Sequence, residues 1–271
     1  MAITFYKYHG AGNDFIIIDD RNGGFSNLAK ETEKVIYHLC RRHYGIGANG
    51  LMLMQNQKGF DFYMKYFNSD GREGSMCGNG GRCMVAFAEN LGVIKEKTIF
   101  NAIDGAHQAV IQHKGIDNWE ISLKMKDVET IKEQGGEYVL NTGSPHMVIF
   151  SEDIANKDIY EEGVAIRYSP QFAKKGINVN FAEVLDKSTI RMRTYERGVE
   201  HETLACGTGA TAVAIAAWAA GFRNPENSYK IMAPGGELQV SFAQSSDLRN
   251  GFRNVWLQGP VQKVFEGTIE I

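Results

Sequence analysis

Two stretches of the chain carry the same grouping of residues: SMCGNGGRC at 75–83 and LACGTGATA at 204–212. In each, a cysteine is followed by glycine, a polar residue and a second glycine, and then by an apolar run with the spacing of a helix. A thiol at a helix N-terminus sits beside backbone N–H groups without intrahelical partners and a partial positive charge, which bind anions and favour the thiolate. Glycines at 78, 80, 207 and 209 leave those amides open to close approach by a ligand. Two such thiols, Cys77 and Cys206, acting on one carboxylate-bearing carbon would take a proton from one face and return one to the other. That is racemisation or epimerisation. The amides at the two helix starts would bind the charge that develops on the carboxylate, so the chemistry requires neither a cofactor nor a metal.

The elements that must position these thiols repeat as well. MKYFNSDGREGSMCGNGGRCMVAFAENLG begins at Met64 and MRTYERGVEHETLACGTGATAVAIAAWAAG at Met192, and both run strand, polar loop, Cys-Gly-x-Gly, apolar helix. Cys77 to Gly92 and Cys206 to Gly221 each span 15 residues, giving two helices of equal length with a glycine stop. Both helices are apolar nearly all round, which predicts central burial. The expected fold is therefore mixed α/β, two pseudo-symmetric domains from an internal duplication, each with strands wrapped around a central buried helix and the active site in the cleft between them. The polar, glycine-ended stretch at 124–136 places the boundary at 127/128, giving domains 1–127 and 128–261. A further helix is expected at LAKETEKVIYHLCRRH, and a mixed segment at about 154–175.

Composition narrows the partners. With 271 residues, 43% of them hydrophobic, and a net charge of −3, the chain supports a sizeable core and shows no basic excess. A small-molecule partner is expected, with no nucleic acid and no membrane. The N-terminus lacks the pattern of a signal peptide and the longest apolar run, 210–222, is too short to span a bilayer, so a cytoplasmic location is expected. Four cysteines without Cys-x-x-Cys or paired-histidine spacing do not suggest zinc, and Cys40 and Cys83 read as core filler.

Other polar residues fall at the same strand ends. Asn68 and Glu196 each lie four residues after the aligned methionines, and Glu196-Arg197 could hold an ammonium and a carboxylate, although a surface ion pair is the commoner reason for such a dipeptide. HGAGNDF at 9–15 offers Asn13 and Asp14 in a glycine-bounded turn. NTGSPHMV at 141–148 offers Ser144 and His146, a histidine that could tune a nearby thiol.

Taken together, HGAGNDF, GIGANGL, NSDGREGSMCGNGGRC, GSPH, NVNF, ERG and ACGTGA occur end to end in an order that resembles the diaminopimelate epimerase family. The resemblance implies an isomerase without pyridoxal phosphate that interconverts LL- and meso-diaminopimelate for lysine and peptidoglycan synthesis, acts as a homodimer, and returns its C-terminal strand, 262–271, to the first domain. It implies that Cys77 and Cys206 are the acid–base thiols, and that Gly78, Asn79, Gly207 and Thr208 bind the carboxylate at the reacting carbon. It further implies that Asn13, Asn68, Asn178, Glu196 and Arg197 bind the substrate's other head groups, with His146 and Glu196 adjusting thiol ionisation. Ser144, Asn49, Gly50 and Phe265 depart from the family's usual residues, and the loop at Val199 to His201 is one residue longer.

Three other readings compete. A proline racemase-like enzyme would share the thiol pair but not need the Glu-Arg dipeptide. A non-catalytic anion-binding protein would need only the helix-start amides, so serine would replace each cysteine without loss. A thiol redox protein would cycle the two cysteines through a disulfide.

Overall fold

The computed structural model describes residues 2–28, 31–74, 76–244 and 251–270. Ser75 of the first cysteine motif and Ile271 of the expected C-terminal strand lie outside them. The chain divides into two compact units, one drawn from Met1–Leu123 and Gly259–Ile271, the other from Lys124–Gln258.

The first unit contains β1 (Ala2–Gly10), β2 (Asn13–Asp19), a short α1 (Gly24–Leu28), α2 (Thr32–Cys40), β3 (Gly50–Gln55), β4 (Tyr63–Asn68), α3 (Gly78–Asn90), β5 (Lys97–Ala102), β6 (Gly105–Lys114) and β7 (Asn118–Lys124). The second contains β8 (Ile131–Gln134), β9 (Glu137–Asn141), β10 (Pro145–Phe150), a 3-10 turn (Ile154–Asn156) and α4 (Ile159–Arg167), followed by β11 (Asn178–Val184) and β12 (Thr189–Glu196). It continues with β13 (His201–Thr203), α5 (Gly207–Ala219), β14 (Ser228–Ala233) and β15 (Gly236–Gln244). The last strand, β16 (Phe252–Glu270), supplies its first residues to the second unit and those from Gly259 onward to the first.

Strand pairing shows the duplication more plainly than the sequence does. In the first unit the order runs β16–β1–β2 antiparallel, β2–β3 parallel, β3–β4 antiparallel, β4–β5 parallel, then β5–β6–β7 antiparallel. β7 pairs with β16 again, so this ladder closes on itself. In the second unit β8–β9–β10 are antiparallel, β10–β11 parallel, β11–β12 antiparallel, β12–β14 parallel, and β14–β15–β16 antiparallel. The sequence of senses is the same. Parallel neighbours need a crossover, and helices supply it at the same two places, α2 and α4 at the first and α3 and α5 at the second.

Each unit has a helix inside its sheet and another outside. Residues 78–88 of α3 are all buried, as are Gly207 and 209–217 of α5. Both helices are 13 residues long and end on left-handed glycines, Gly92 (φ 70°) and Gly221 (φ 94°). The bonds Gly92 N to Glu89 O and Val93 N to Ala88 O, matched by Gly221 N to Trp218 O and Phe222 N to Ala217 O, are the paired bonds of a Schellman stop. Outside the first sheet, α2 places Ile36, Leu39 and Cys40 in a cluster with Ile16 and Ile18, while the alternate Phe15 points to α3. Burial on both faces explains the unbroken apolar run FIII. In the second unit Val179 and Phe181 join Ile154 and Ile159 outside, which turns Asn178 and Asn180 to the opposite face of β11.

Of the helix expected over LAKETEKVIYHLCRRH, Ala29 and Lys30 lie outside the described residues, and its C-terminal end stops short of what the periodicity suggests. α2 starts at Thr32 and stops at Cys40 because the following turn folds back onto it. Gly47 N and Ala48 N take the carbonyls of Leu39 and Cys40, which a longer helix would have used. The mixed segment at about 154–175 holds α4, with the Asp158 side chain accepting from Glu161 N at its start.

Candidate active site

Cys77 and Cys206 occupy the N-cap positions of α3 and α5 in extended backbone conformation, and neither side chain caps its own helix. The first helical bonds run from Gly81 N to Cys77 O and from Ala210 N to Cys206 O. The N–H groups at 78–80 and 207–209 therefore precede any intrahelical acceptor, as an anion cradle requires.

Around Cys77, which is half-buried, the amide Nδ2 of Asn13 at the start of β2 lies 3.9 Å from Sγ. Asn13 Oδ1 is buried with no hydrogen-bond partner among the described residues. Asn68 closes β4, where the chain turns and Arg72 O receives its N–H, and its side chain lies over Gly74, where a Cβ would come within 2.9 Å of Nδ2. Asn79 is buried in the first turn of α3 and accepts from Arg82 at 2.8 Å. Two departures from the family pattern have structural explanations. Asn49 Oδ1 accepts from Asp14 N at 3.1 Å while Asn49 N donates to Asp14 Oδ1 at 3.2 Å, so Asn49 ties β2 to its neighbouring loop. At Gly50 the space for a side chain is filled, since a Cβ would lie 2.6 Å from the Tyr66 ring and 2.5 Å from Phe67 O.

Around Cys206 a buried polar chain forms on the inner face of β10 and β11. Asn180 Nδ2 donates to Met147 O (2.9 Å) and to His146 Nδ1 (3.1 Å), while Asn180 Oδ1 accepts from Thr194 Oγ1 (3.0 Å). With Nδ1 accepting, the imidazole proton resides on Nε2, which donates to Thr208 Oγ1 at 2.9 Å. Thr208 Oγ1 in turn lies 3.4 Å from Cys206 Sγ and has its own proton to offer the sulfur. Burial, with the Arg197 charge adding to it, lowers His146 to about pKa 3, so the ring is neutral at ordinary pH. His146 thus meets Thr208, and Thr208 meets the thiol.

Glu196 ends β12 and its Oε2 accepts from Thr203 Oγ1 at 2.8 Å. Burial raises its carboxyl above the usual range, and the Thr203 bond offsets this only in part. Arg197 N donates to Asn178 Oδ1 (2.8 Å), and Ser144 Oγ accepts from both Asn178 Nδ2 (3.0 Å) and Arg197 NH2 (3.3 Å). Ser144 therefore holds these two side chains together. The longer loop is a tight turn around Glu200 (φ 56°), whose carboxylate accepts from Gly198 N and Tyr195 OH and pairs with Arg167.

The remaining cysteines differ in character. Burial pushes Cys40 up to about 12 and drives Cys83 well above the ordinary thiol range, which suits both to apolar packing. Two of the four motif glycines also serve packing rather than ligand access. A Cβ at Gly209 would lie 2.5 Å from Asn180 Oδ1 and 3.3 Å from Cys206 Sγ, and one at Gly80 would lie 3.1 Å from Met52 Sδ. The residues that sequence reasoning missed are Asn180, Thr194 and Thr203. The alternation in NVNF was the signal for Asn180, since any strand that turns Asn178 inward turns Asn180 inward too.

Among the described residues no group of three or more His, Cys, Asp or Glu is placed to hold a metal, and no helix is long and apolar enough to cross a membrane.

The family model described as diaminopimelate epimerase matches residues 5–130 and 138–263, once over each half of the chain. The diaminopimelate epimerase of Flavobacterium psychrophilum is 50% identical over 98% of this chain and 100% of its own length. Among solved structures, a Bacillus anthracis phenazine biosynthesis protein of the PhzF family superposes with TM-score 0.74 at 14% identity, covering both chains fully. A probable proline racemase from Agrobacterium radiobacter K84 superposes with TM-score 0.70 at 13% identity, covering 99% of this chain and 93% of that one. These two likenesses describe the shared fold. Matched by the family model across both of its repeated units, and by a relative along nearly its whole length, the chain belongs to the diaminopimelate epimerase family.

Proposed function

We propose that the protein interconverts LL- and meso-diaminopimelate by two-base epimerisation, with Cys77 and Cys206 as the acid–base pair. The observation that carries this reading is the placement of both thiols at the N-caps of the two duplicated inner helices, each beside a side chain able to influence its proton. In one direction a thiolate removes the α-proton and the opposite thiol supplies one to the other face; the reverse direction exchanges the roles. The helix-start amides at 78–80 and 207–209 stabilise the charge that moves onto the substrate carboxylate. Asn13 Oδ1, buried and without a partner among the described residues, suits the substrate ammonium as donor, and the Arg197–Ser144–Asn178 group suits a second carboxylate and ammonium. The same reading carries a cytoplasmic homodimer with no cofactor.

The test is proton exchange. Reduced protein incubated with LL-diaminopimelate in deuterium oxide is expected to give meso product deuterated at the inverted carbon, and Cys77→Ala and Cys206→Ala should each abolish it. Folded, reduced protein that exchanges nothing would remove the assignment, and turnover of proline in place of diaminopimelate would transfer it to the racemase reading. Full cellular function in both Cys→Ser variants, with no exchange in vitro, would favour an anion-binding protein instead.

A further inference from the structure

Within the first turns of α3 lies a cation that the two-thiol scheme does not use. Arg82 is fully buried. Helical side chains lean toward the N-terminus, and this one reaches back along α3 to the turn that begins at Cys77. Its NH1 donates to Gly78 O at 3.3 Å and its NH2 to Asn79 Oδ1 at 2.8 Å, both neutral acceptors, while Nε is buried without a hydrogen-bond partner among the described residues. A guanidinium taken out of water costs heavily unless an anion answers it. Tying down a helix start requires no charge, and an apolar side chain would fill the same space.

We propose that Arg82 is a positioning residue for Cys77: its buried charge favours the thiolate at the head of α3, and its fork holds Asn79 with the amide NH2 as the donor end. The charged and titratable groups that act on Arg82 are Cys77 and Cys83 on the helix itself and Glu120 on β7, and Asp14 and Tyr8 act in the same region through Cys83. Of these, Glu120 opposes a thiolate, and Cys83 is held protonated by its burial. Cys77, half-buried at the helix start, is the group whose charge Arg82 serves. Burial pushes the ionisation of Arg82 downward, and the nearby thiols and Glu120 oppose that push. Because Asn79 Oδ1 is engaged by the guanidinium, the amide cannot rotate without losing a charge-assisted bond.

This inference rests on Cys77 being an acid–base thiol, so its test reads ionisation rather than turnover and either can fail alone. In a Cys206→Ser background, the rate of iodoacetamide alkylation at Cys77, followed by peptide mass mapping, gives the pH midpoint of thiolate formation. Arg82→Met is expected to raise that midpoint by roughly one unit or more, the ordinary effect of losing a nearby opposite charge. Arg82→Lys, which keeps the charge without the fork, should stay near the parent. A folded Arg82→Met variant with an unmoved midpoint overturns the proposal, as does an Arg82→Lys variant that shifts as far as the methionine variant. Should the methionine variant fail to fold, two readings decide. A parent midpoint that stays put between low salt and about 1 M NaCl supports a buried, unscreened charge, while a shift of roughly half a unit or more assigns the effect to exposed charges and overturns it. Arg82→Lys must then still keep the parent midpoint; a rise of about one unit overturns the proposal.

Discussion

Nε2 of His146 lies 2.9 Å from Oγ1 of Thr208, a contact that aims a neutral buried imidazole at a hydroxyl. The hydroxyl then lies 3.4 Å from Sγ of Cys206. With the His146 proton on Nε2, Thr208 is free to donate onward, so donors can run from Asn180 through His146 and Thr208 to the sulfur, and a chain that ends on sulfur favours its anionic form.

Thr208→Val removes the middle of that chain while keeping the side chain's shape. A hydrogen bond to a charged group is worth about 1.5–3 kcal/mol, so the expected loss in kcat is on the order of tenfold to a hundredfold. Thr208→Ser should restore most of it. Steady-state kinetics on the three proteins checks this, and equal rates in wild type and Thr208→Val would dissociate the hydroxyl from catalysis.

His146 should show no titration between pH 5 and 8, which the C2 proton of its imidazole reports by NMR. Its folded pKa of about 3 lies below the ordinary value of 6.5, so unfolding takes up a proton in the interval between them. The native state therefore loses stability as pH falls from about 6.5 toward 3, with the full contribution present above 6.5. In a folded His146→Gln variant the slope of Tm against pH across that interval should flatten.

Glu196 has the opposite sign. Burial raises its folded pKa above the ordinary value of 4.5, so its contribution is fully present below that pH and is lost as pH climbs through the folded pKa. Relative to wild type, Glu196→Gln should gain thermal stability from pH 4 to pH 7 while losing activity. A constant difference in Tm across that range would contradict the assignment to burial.

Cys83→Ser should leave turnover largely intact but lower stability by roughly 1–3 kcal/mol, because it puts a hydroxyl into the packed interior of α3. Cys40→Ala should likewise remain active. Chemical denaturation combined with the exchange assay separates these two from Cys77 and Cys206, whose loss should abolish exchange.

Gly209→Ala would drive a methyl to 2.5 Å from Asn180 Oδ1 and 3.2 Å from Cys206 Cβ. Overpacking of this kind costs about 1–3 kcal/mol, and the thiol should move with it. The expected result is a folded protein with kcat reduced at least about tenfold. Unchanged kcat would show that Cys206 tolerates displacement.

Much of this architecture can be read along the chain because its signals are local. The Cys-Gly-x-Gly starts, the left-handed glycines at 92 and 221, and the apolar circumference of α3 and α5 each arise from contacts within a few residues, so the two buried helices and their duplication are written in the repeat itself. α2 is misjudged by periodicity because its end depends on the turn at 45–48 taking its carbonyls. The partners of each thiol are also decided at a distance. His146 reaches Thr208 across 62 residues and Asn13 reaches Cys77 across 64, and only the packing of each inner helix against its sheet brings them together. The sequence by itself determined which groups can do chemistry and which helix ends carry them. Tertiary structure decided their protonation and hydrogen-bond order: burial leaves His146 neutral and encloses Arg82 with neutral hydrogen-bond acceptors, and desolvation is a property of the packed interior that no stretch of sequence possesses alone.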